Sequence, residues 1–312
     1  MSVLGVDIGG TKTIVAVADD RGIIAQERID TPREQGPSAV LSAIEQAIRS
    51  IITHYAVRIT SVGIGCGGPL DRERGIILVA PNLPGWENLD LAGYFRNALG
   101  APVSLDNDVN LMALGEAREG AGVGIDHLAY FNIGTGIGGG IVIGGKLYRG
   151  CGNAAEFGHQ IILPDGPPCL CGKRGCLEAL ASGTSIARRA RELLADHPDS
   201  AILSLAGSTE NVTARIVAQA ALEGDDLARR IWLETGEYLG IGIANVINIL
   251  NPRMVVLGGG VVEAGDLLLD PVRRTVRERA MTQLADDAQI VRGSLGEQAG
   301  IIGAIHLALE RD

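Results

Sequence analysis

The sequence predicts an α/β protein made of two similar halves, and three observations carry that reading. The first is a repeat. Residues 3–18 run VLGVDI, GGTK, TIVAVA, which is apolar strand, Gly/Thr turn, apolar strand. Residues 128–147 run LAYFNI, GTGIGGG, IVIGGKL in the same order, so D7-I8-G9-G10-T11 aligns with N132-I133-G134-T135-G136. The second is a change of period: strand-like runs give way to apolar stripes at helical spacing. The third is a Gly/Pro-rich loop with three of the five cysteines and a histidine.

Taken in order, the turn at 9–12 and a second at Asp19–Gly22 are too short for a crossover helix. Residues 3–28 are therefore expected to form an antiparallel meander. Residues 38–55 place Val40, Leu41, Ile44, Ala47, Ile48 and Ile51 on one helical face, and a buried strand follows at 61–65. V103-S104-L105-D106 ends a further strand before a helix at 111–117. Helical stripes at 186–194, 213–222 and 227–249 precede a strand at 254–257 and a closing helix at 299–309. Without a Ser/Pro-rich linker, the halves are expected to share a hinge.

Composition narrows the function. The 312 residues are enough for one large domain or two ordinary ones. There are 44 glycines, about twice the average share, against only 12 prolines, so the bias is neither collagen-like nor disordered. The glycines cluster at the ends of apolar runs, where backbone N–H groups approach a ligand. A net charge of −10 with no Lys/Arg cluster argues against nucleic acid or an anionic membrane as partner. No apolar run reaches membrane-spanning length, and MSVLGVD enters a strand without a basic region or cleavage site. A cytoplasmic location is expected.

His159, Cys169, Cys171 and Cys176 offer one imidazole and three thiolates, the donor set of a tetrahedral structural zinc. The alternatives are plain reduced thiols or a Cys169–Cys176 disulfide, the latter disfavoured where no secretory segment is seen. Glu156 and Glu178 bracket the knot, and zinc would fix where their carboxylates point. Cys66 and Cys151 read as plain small residues.

Three motif matches mislead. G63-I64-G65-C66-G67-G68 and G134-T135-G136-I137-G138-G139 fit the dinucleotide pattern, but neither leads into a helix. G140–L147 resembles a phosphate loop without its Ser/Thr. The paired Gly/Thr turns instead suggest backbone nests for phosphate. Asp7 beside the first turn suits Mg²⁺ or a turn cap. Asp106 reads as a helix N-cap, Asp108 as either a cap or the base that takes a hydroxyl proton. Asn82, in A80-P81-N82-L83-P84-G85-W86, contacts a ligand or caps a turn. Carboxylates and amides together suit a polyhydroxylated ligand.

D7-I8-G9-G10-T11-K12, L105-D106-N107-D108-V109-N110, E156-F157-G158-H159 and C169-L170-C171-G172-K173-R174-G175-C176-L177-E178 together resemble the ROK family (repressors, open reading frames, sugar kinases). The resemblance runs from Gly5 to the closing helix, and the cysteine motif is its most specific part. It implies the two-lobed actin-like, Hsp70-like ATPase fold, a duplicated RNase H-like α/β architecture with a structural zinc loop. The implied small lobe is residues 1–112 plus about 299–312, the large lobe 113–298.

The implied activity is ATP-dependent phosphorylation of a hexose 6-hydroxyl, with the lobes closing over sugar and nucleotide. Asp108 would be the general base, and Asn82, Asn107, Glu156, His159 and Glu178 hexose contacts, with His159 also a zinc ligand. Asp7, Gly9, Gly10, Thr11 and Lys12, with Gly134, Thr135, Gly136 and Gly138, would handle phosphates and Mg²⁺, and Gly258 and Gly259 would lie near adenosine. The 80–86 loop is similar to that of the family's glucokinases, which makes glucose the expected sugar. N-acetylmannosamine and N-acetylglucosamine are the alternatives, and a non-catalytic sugar sensor is disfavoured because binding alone needs neither Asp7 nor Asp108. Repressor members carry a winged helix ahead of the first turn, for which residues 1–6 leave no room. A homodimer or homotetramer is implied.

Overall fold

β-branched runs covered on both sides make the central strands, and one-sided apolar stripes make the helices around them. The computed structural model describes residues 2–310. β1 (Ser2–Ile8), β2 (Lys12–Asp19) and β3 (Gly22–Asp30) form the expected meander. α1 (Pro37–Tyr55), β4 (Ile59–Cys66), β5 (Leu70–Asp71), β6 (Ile76–Val79), β7 (Glu87–Asp90), α2 (Leu91–Leu99), β8 (Val103–Asn107) and α3 (Asp108–Glu119) follow. The main sheet runs β3-β2-β1-β4-β8, with β4 parallel to β1 and β8 parallel to β4.

The second half opens with β9 (Leu128–Ile133), β10 (Ile137–Ile143) and β11 (Lys146–Leu147). It continues through α4 (Leu177–Ala181), α5 (Gly183–Leu193), α6 (Ala201–Ala206), α7 (Ala214–Leu222), α8 (Asp226–Leu250), β12 (Met254–Gly258), α9 (Asp266–Arg279), α10 (Thr282–Asp287) and β13 (Gln289–Arg292). α11 (Ala299–Leu309) closes the chain. This sheet runs β11-β10-β9-β12-β13, the path of the first sheet strand for strand. β12 lies parallel to β9 and to β13. The duplication read from the two Gly/Thr turns is therefore a duplication of topology.

Alternation along β2 shows how the first sheet is covered. Val15 and Val17 join Leu4, Val6 and Ile64 against the apolar face of α1, while Ile14, Ala16 and Ala18 meet Ile301, Ile302 and Ile305 of α11. Burial on both faces is why β1 and β2 read as unbroken apolar runs.

Two compact units emerge. One is Met1–Asp126, Gly140–Ala154 and Ser294–Asp312; the other is His127–Gly139 and Ala155–Gly293. The boundary expected after residue 112 would cut α3, which instead packs whole along α11. Residues 140–154 join the first unit through side chains: Arg149 Nε donates to Asp106 at 2.6 Å, and the Leu70 N–H donates to Asn153 at 3.3 Å. The antiparallel sheet β5-β6-β7 was not foreseen; buried Ile77, Leu83 and Trp86 pin it to the first core. Among the described residues no helix is long and apolar enough to cross a membrane.

Candidate active site

In the first unit, β1, β4 and β8 bring three residues level, Asp7 opposite Gly65 and Gly65 opposite Asp106. The segments just beyond hold the candidate residues, at the carboxyl ends of parallel strands where open α/β sheets receive ligands. The first Gly/Thr turn is tied down by its own backbone. The Gly9 N–H donates to Lys12 O at 3.0 Å, the Thr31 N–H to Thr11 O at 3.0 Å and Thr31 Oγ1 to Gly9 O at 2.8 Å. Asn82 sits against this turn: a Cβ on Gly10 would lie 3.0 Å from Asn82 Cβ. The Lys12 ammonium is engaged by Glu297 at 2.5 Å, which Arg28 also reaches at 3.0 Å.

At the β8–α3 junction the N-cap is Asn107, not Asp106 as the sequence suggested. Asn107 has extended backbone, and its Oδ1 accepts the Val109 and Asn110 N–H groups at 2.9 and 3.4 Å. That occupies its oxygen and leaves the NH₂ group to donate elsewhere. Asp106 is instead 1% exposed. It accepts from the Asn107 N–H (2.8 Å), Asn110 Nδ2 (2.9 Å) and Arg149 Nε (2.6 Å). A carboxylate this buried persists because it is paired and hydrogen-bonded.

Asp108 stands on the first turn of α3, where its Oδ1 accepts the Val109 N–H at 2.9 Å and the helix end favours negative charge. Asp7 is its neighbour. Asp7 keeps some exposed surface, but protein packs around it so densely that desolvation, then the Asp108 charge, push its pKa to about 7 against the pull of Lys12. Two carboxylates sharing one corner in this way form a site prepared for a cation or a proton. Burial, then Asp108 and Asp7, also hold the Cys66 thiol far above the usual range, so it is inert.

Sequence reasoning passed over Glu116. It is 1% exposed, and its carboxylate accepts the N–H groups of Ala121, Ser294 and Leu295 at 2.8, 3.1 and 2.9 Å. It thereby anchors the segment that carries Glu297, the partner of Lys12. Partners 178 residues apart leave no local signal.

In the second unit the Gly134–Gly138 turn follows β9, and Gly258 at the end of β12 pairs with Asn132. Gly259 has φ +88°, and a Cβ there would come 2.8 Å from Asn132 Oδ1, so the two Gly-rich segments lie side by side. Glu178 reaches the turn from α4, its Oε2 accepting the Ile137 N–H at 2.8 Å.

Just before α4, the ligand atoms of His159, Cys169, Cys171 and Cys176 all lie within 4.8 Å of one another. Cys171 and Cys176 sulfurs are 3.7 Å apart, as are Cys169 Sγ and His159 Nδ1. Tetrahedral zinc–thiolate bonds of about 2.3 Å would set sulfurs about 3.8 Å apart. All five cysteines are free, so the Cys169–Cys176 disulfide is not formed. Burial and the neighbouring thiols push Cys176 up to about 12. Three thiols so close ionise together only beside a cation, and the cluster fits one. With Nδ1 turned to Cys169, His159 Nε2 faces Glu156 Oε2 at 3.9 Å. Asn82, Asn107 and Asp108 thus belong to one unit, and Glu156, His159 and Glu178 to the other.

A family model described as the ROK family matches residues 3–311. The chain belongs to the ROK family. A glucokinase of Thermotoga maritima is 39% identical over 313 residues, covering 100% of this chain and 98% of its own. A ROK hexokinase structure from Thermus thermophilus superposes with TM-score 0.84 at 36% identity, over 99% of this ROK chain and 98% of the other. A ROK family glucokinase from Streptomyces griseus, solved in complex with glucose and AMPPNP, gives TM-score 0.82 at 36% identity over 99% of both chains.

Proposed function

We propose that this chain transfers the γ-phosphoryl group of ATP to the 6-hydroxyl of glucose, with Asp108 as general base. The observation that carries the chemistry is the carboxylate pair, Asp108 at the N-terminus of α3 beside a desolvated Asp7. Likeness over the full chain to glucokinases, one of them bound to glucose and AMPPNP, supports sugar and donor.

Phosphoryl transfer asks a protein mainly for positioning and for charge to meet charge. Asp108 accepts the O6 proton as that oxygen attacks the γ-phosphorus; the bond to the β–γ bridging oxygen breaks and ADP leaves. Asp7, with Gly9, Gly10, Thr11 and Lys12, would hold Mg²⁺ and phosphate oxygens, and Gly134, Thr135, Gly136 and Gly138 are likewise assigned to phosphates. Mg²⁺ arriving with ATP supplies the positive charge that a raised Asp7 calls for. Gly258 and Gly259 are assigned to the adenosine side.

Asn82, Asn107, Glu156, His159 and Glu178 are assigned to the hexose. Asn107 donates through the NH₂ that capping leaves over, and His159 through Nε2–H once Nδ1 joins the metal set. His159, Cys169, Cys171 and Cys176 would hold structural zinc, which fixes the imidazole that faces Glu156. A cytoplasmic homodimer or homotetramer, implied by the resemblance, completes the reading.

The test is ATP-dependent turnover on glucose, mannose, fructose, N-acetylmannosamine and N-acetylglucosamine. Glucose is expected to give the highest kcat/KM. A higher value for an acetamido sugar moves the substrate assignment, and no turnover on any hexose overturns the function.

A further inference from the structure

We infer that Glu178 is a positioning residue that couples sugar occupancy to the shape of the second phosphate turn. This rests on the reading that Glu178 takes a sugar hydroxyl, and extends it to the nucleotide. The carboxylate is already half used: Oε2 accepts the Ile137 N–H at 2.8 Å, while Oε1 accepts no hydrogen bond among the described residues. One oxygen holds the turn and the other is left for a ligand.

The mounting is stiff at both ends. The Glu178 carbonyl accepts the Ser182 N–H at 3.2 Å and Ser185 Oγ at 2.7 Å. On the turn, the Gly134 N–H donates to Gly136 O at 2.9 Å. Two further ties run in parallel from the same short segment, the Gly183 N–H to Gly134 O at 2.8 Å and Thr184 Oγ1 to Thr135 O at 2.9 Å. Residues 178–184 therefore grip residues 134–137 at three points, and that segment begins two residues after Cys176. At Gly136 a Cβ would overlap Glu178 Oε2, so a side chain there would push the carboxylate aside.

A hydroxyl donating to Oε1 fixes the Glu178 rotamer, hence the Ile137 N–H, hence the peptide groups that would face phosphate. Coupling of this kind is reciprocal: sugar tightens nucleotide by the factor by which nucleotide tightens sugar. A charge-assisted hydrogen bond to a backbone N–H sets the scale at about tenfold in affinity.

The experiment is calorimetric titration of glucose and of Mg²⁺·AMPPNP, each with and without the other, on the parent and three variants. In the parent, glucose should tighten AMPPNP about fivefold to tenfold. Glu178→Ala should weaken glucose and, without sugar, AMPPNP by about tenfold each, and bring the coupling factor to about one. Glu178→Gln keeps an acceptor for Ile137 but loses the charge, so it should weaken glucose while leaving AMPPNP within about twofold. Gly136→Ala puts a methyl group against Glu178 Oε2 from the turn side, so it should displace the carboxylate and weaken glucose several-fold with no nucleotide present. These last two carry the test should Glu178→Ala fold poorly. Unchanged glucose affinity in both Glu178 variants removes the residue from the sugar. Weakened glucose with parental AMPPNP affinity in Glu178→Ala and parental glucose affinity in Gly136→Ala overturns the link and leaves the sugar contact standing. A parental coupling factor of one overturns the link as well.

Discussion

The two five-stranded sheets share a strand order, but the turn after each first strand is furnished differently. The first begins at Asp7, which shares its corner with Asp108. The second begins at the neutral Asn132, and its carboxylate comes from outside the repeat, on Glu178 just after the cysteine knot. The strands after them diverge too. β8 runs straight into α3 through Asn107 and Asp108, whereas its counterpart β13 ends at Arg292 and meets no such helix. Duplication supplied two similar backbone turns, and side chains furnish them differently, with a carboxylate pair at the first and Glu178 at the second. Function resides in the grafted groups, not in the fold they share.

The largest effect that separates the halves should come from the metal. Structural zinc contributes on the order of 10 kcal/mol in small modules, and Cys171→Ser removes one of its four donors. Hydrogen exchange should then show lost protection at residues 156–183 while α1 and α11 keep theirs, with glucose affinity falling in parallel. Equal protection in parent and variant, or protein purified without chelator that contains no zinc, would sink the metal assignment. Next comes the base. Asp108→Ala should lower kcat by about 10²- to 10⁴-fold with glucose binding still measurable. Near-parental turnover would remove Asp108 from the reaction.

What the chain announced about itself follows the same division. Both turns and the meander were legible because burial on both faces leaves unbroken apolar runs around Gly/Thr punctuation. The knot was legible because its four donors fall within eighteen residues. The sheet β5-β6-β7 was not, since strands of two to four residues carry too little periodicity to register. Asp106 was misread because its deciding partner, Arg149, is 43 residues away, and Glu116 was missed because its partners lie further still. Local chemistry shows in sequence, and pairing across the fold does not.

Asp7→Asn gives the first turn the residue of the second, which tests the comparison directly. If Asp7 serves Mg²⁺ directly or through water, the Mg²⁺ concentration for half-maximal rate should rise by about 10- to 100-fold. The ligand-free chain should meanwhile gain stability at pH 8. A carboxyl whose pKa is raised on folding, here to about 7, costs stability above that pKa and none below its unfolded value. The gain should therefore vanish toward pH 4. Unaltered Mg²⁺ dependence would mean that the two turns are equivalent after all.

The smallest effect is also the most discriminating, because Asn107 caps α3 and is also assigned a sugar contact. Its Oδ1 caps α3 through Val109 and Asn110, and its NH₂ is the group assigned to the sugar. Asp caps a helix about as well as Asn but cannot donate. Asn107→Asp should therefore keep the parental denaturation midpoint while glucose affinity falls about tenfold. Asn107→Ala should lose sugar affinity and about 1 kcal/mol of stability together. Parental glucose affinity in Asn107→Asp would confine Asn107 to the cap and leave Asp108 as the one residue of the β8–α3 junction assigned to the reaction.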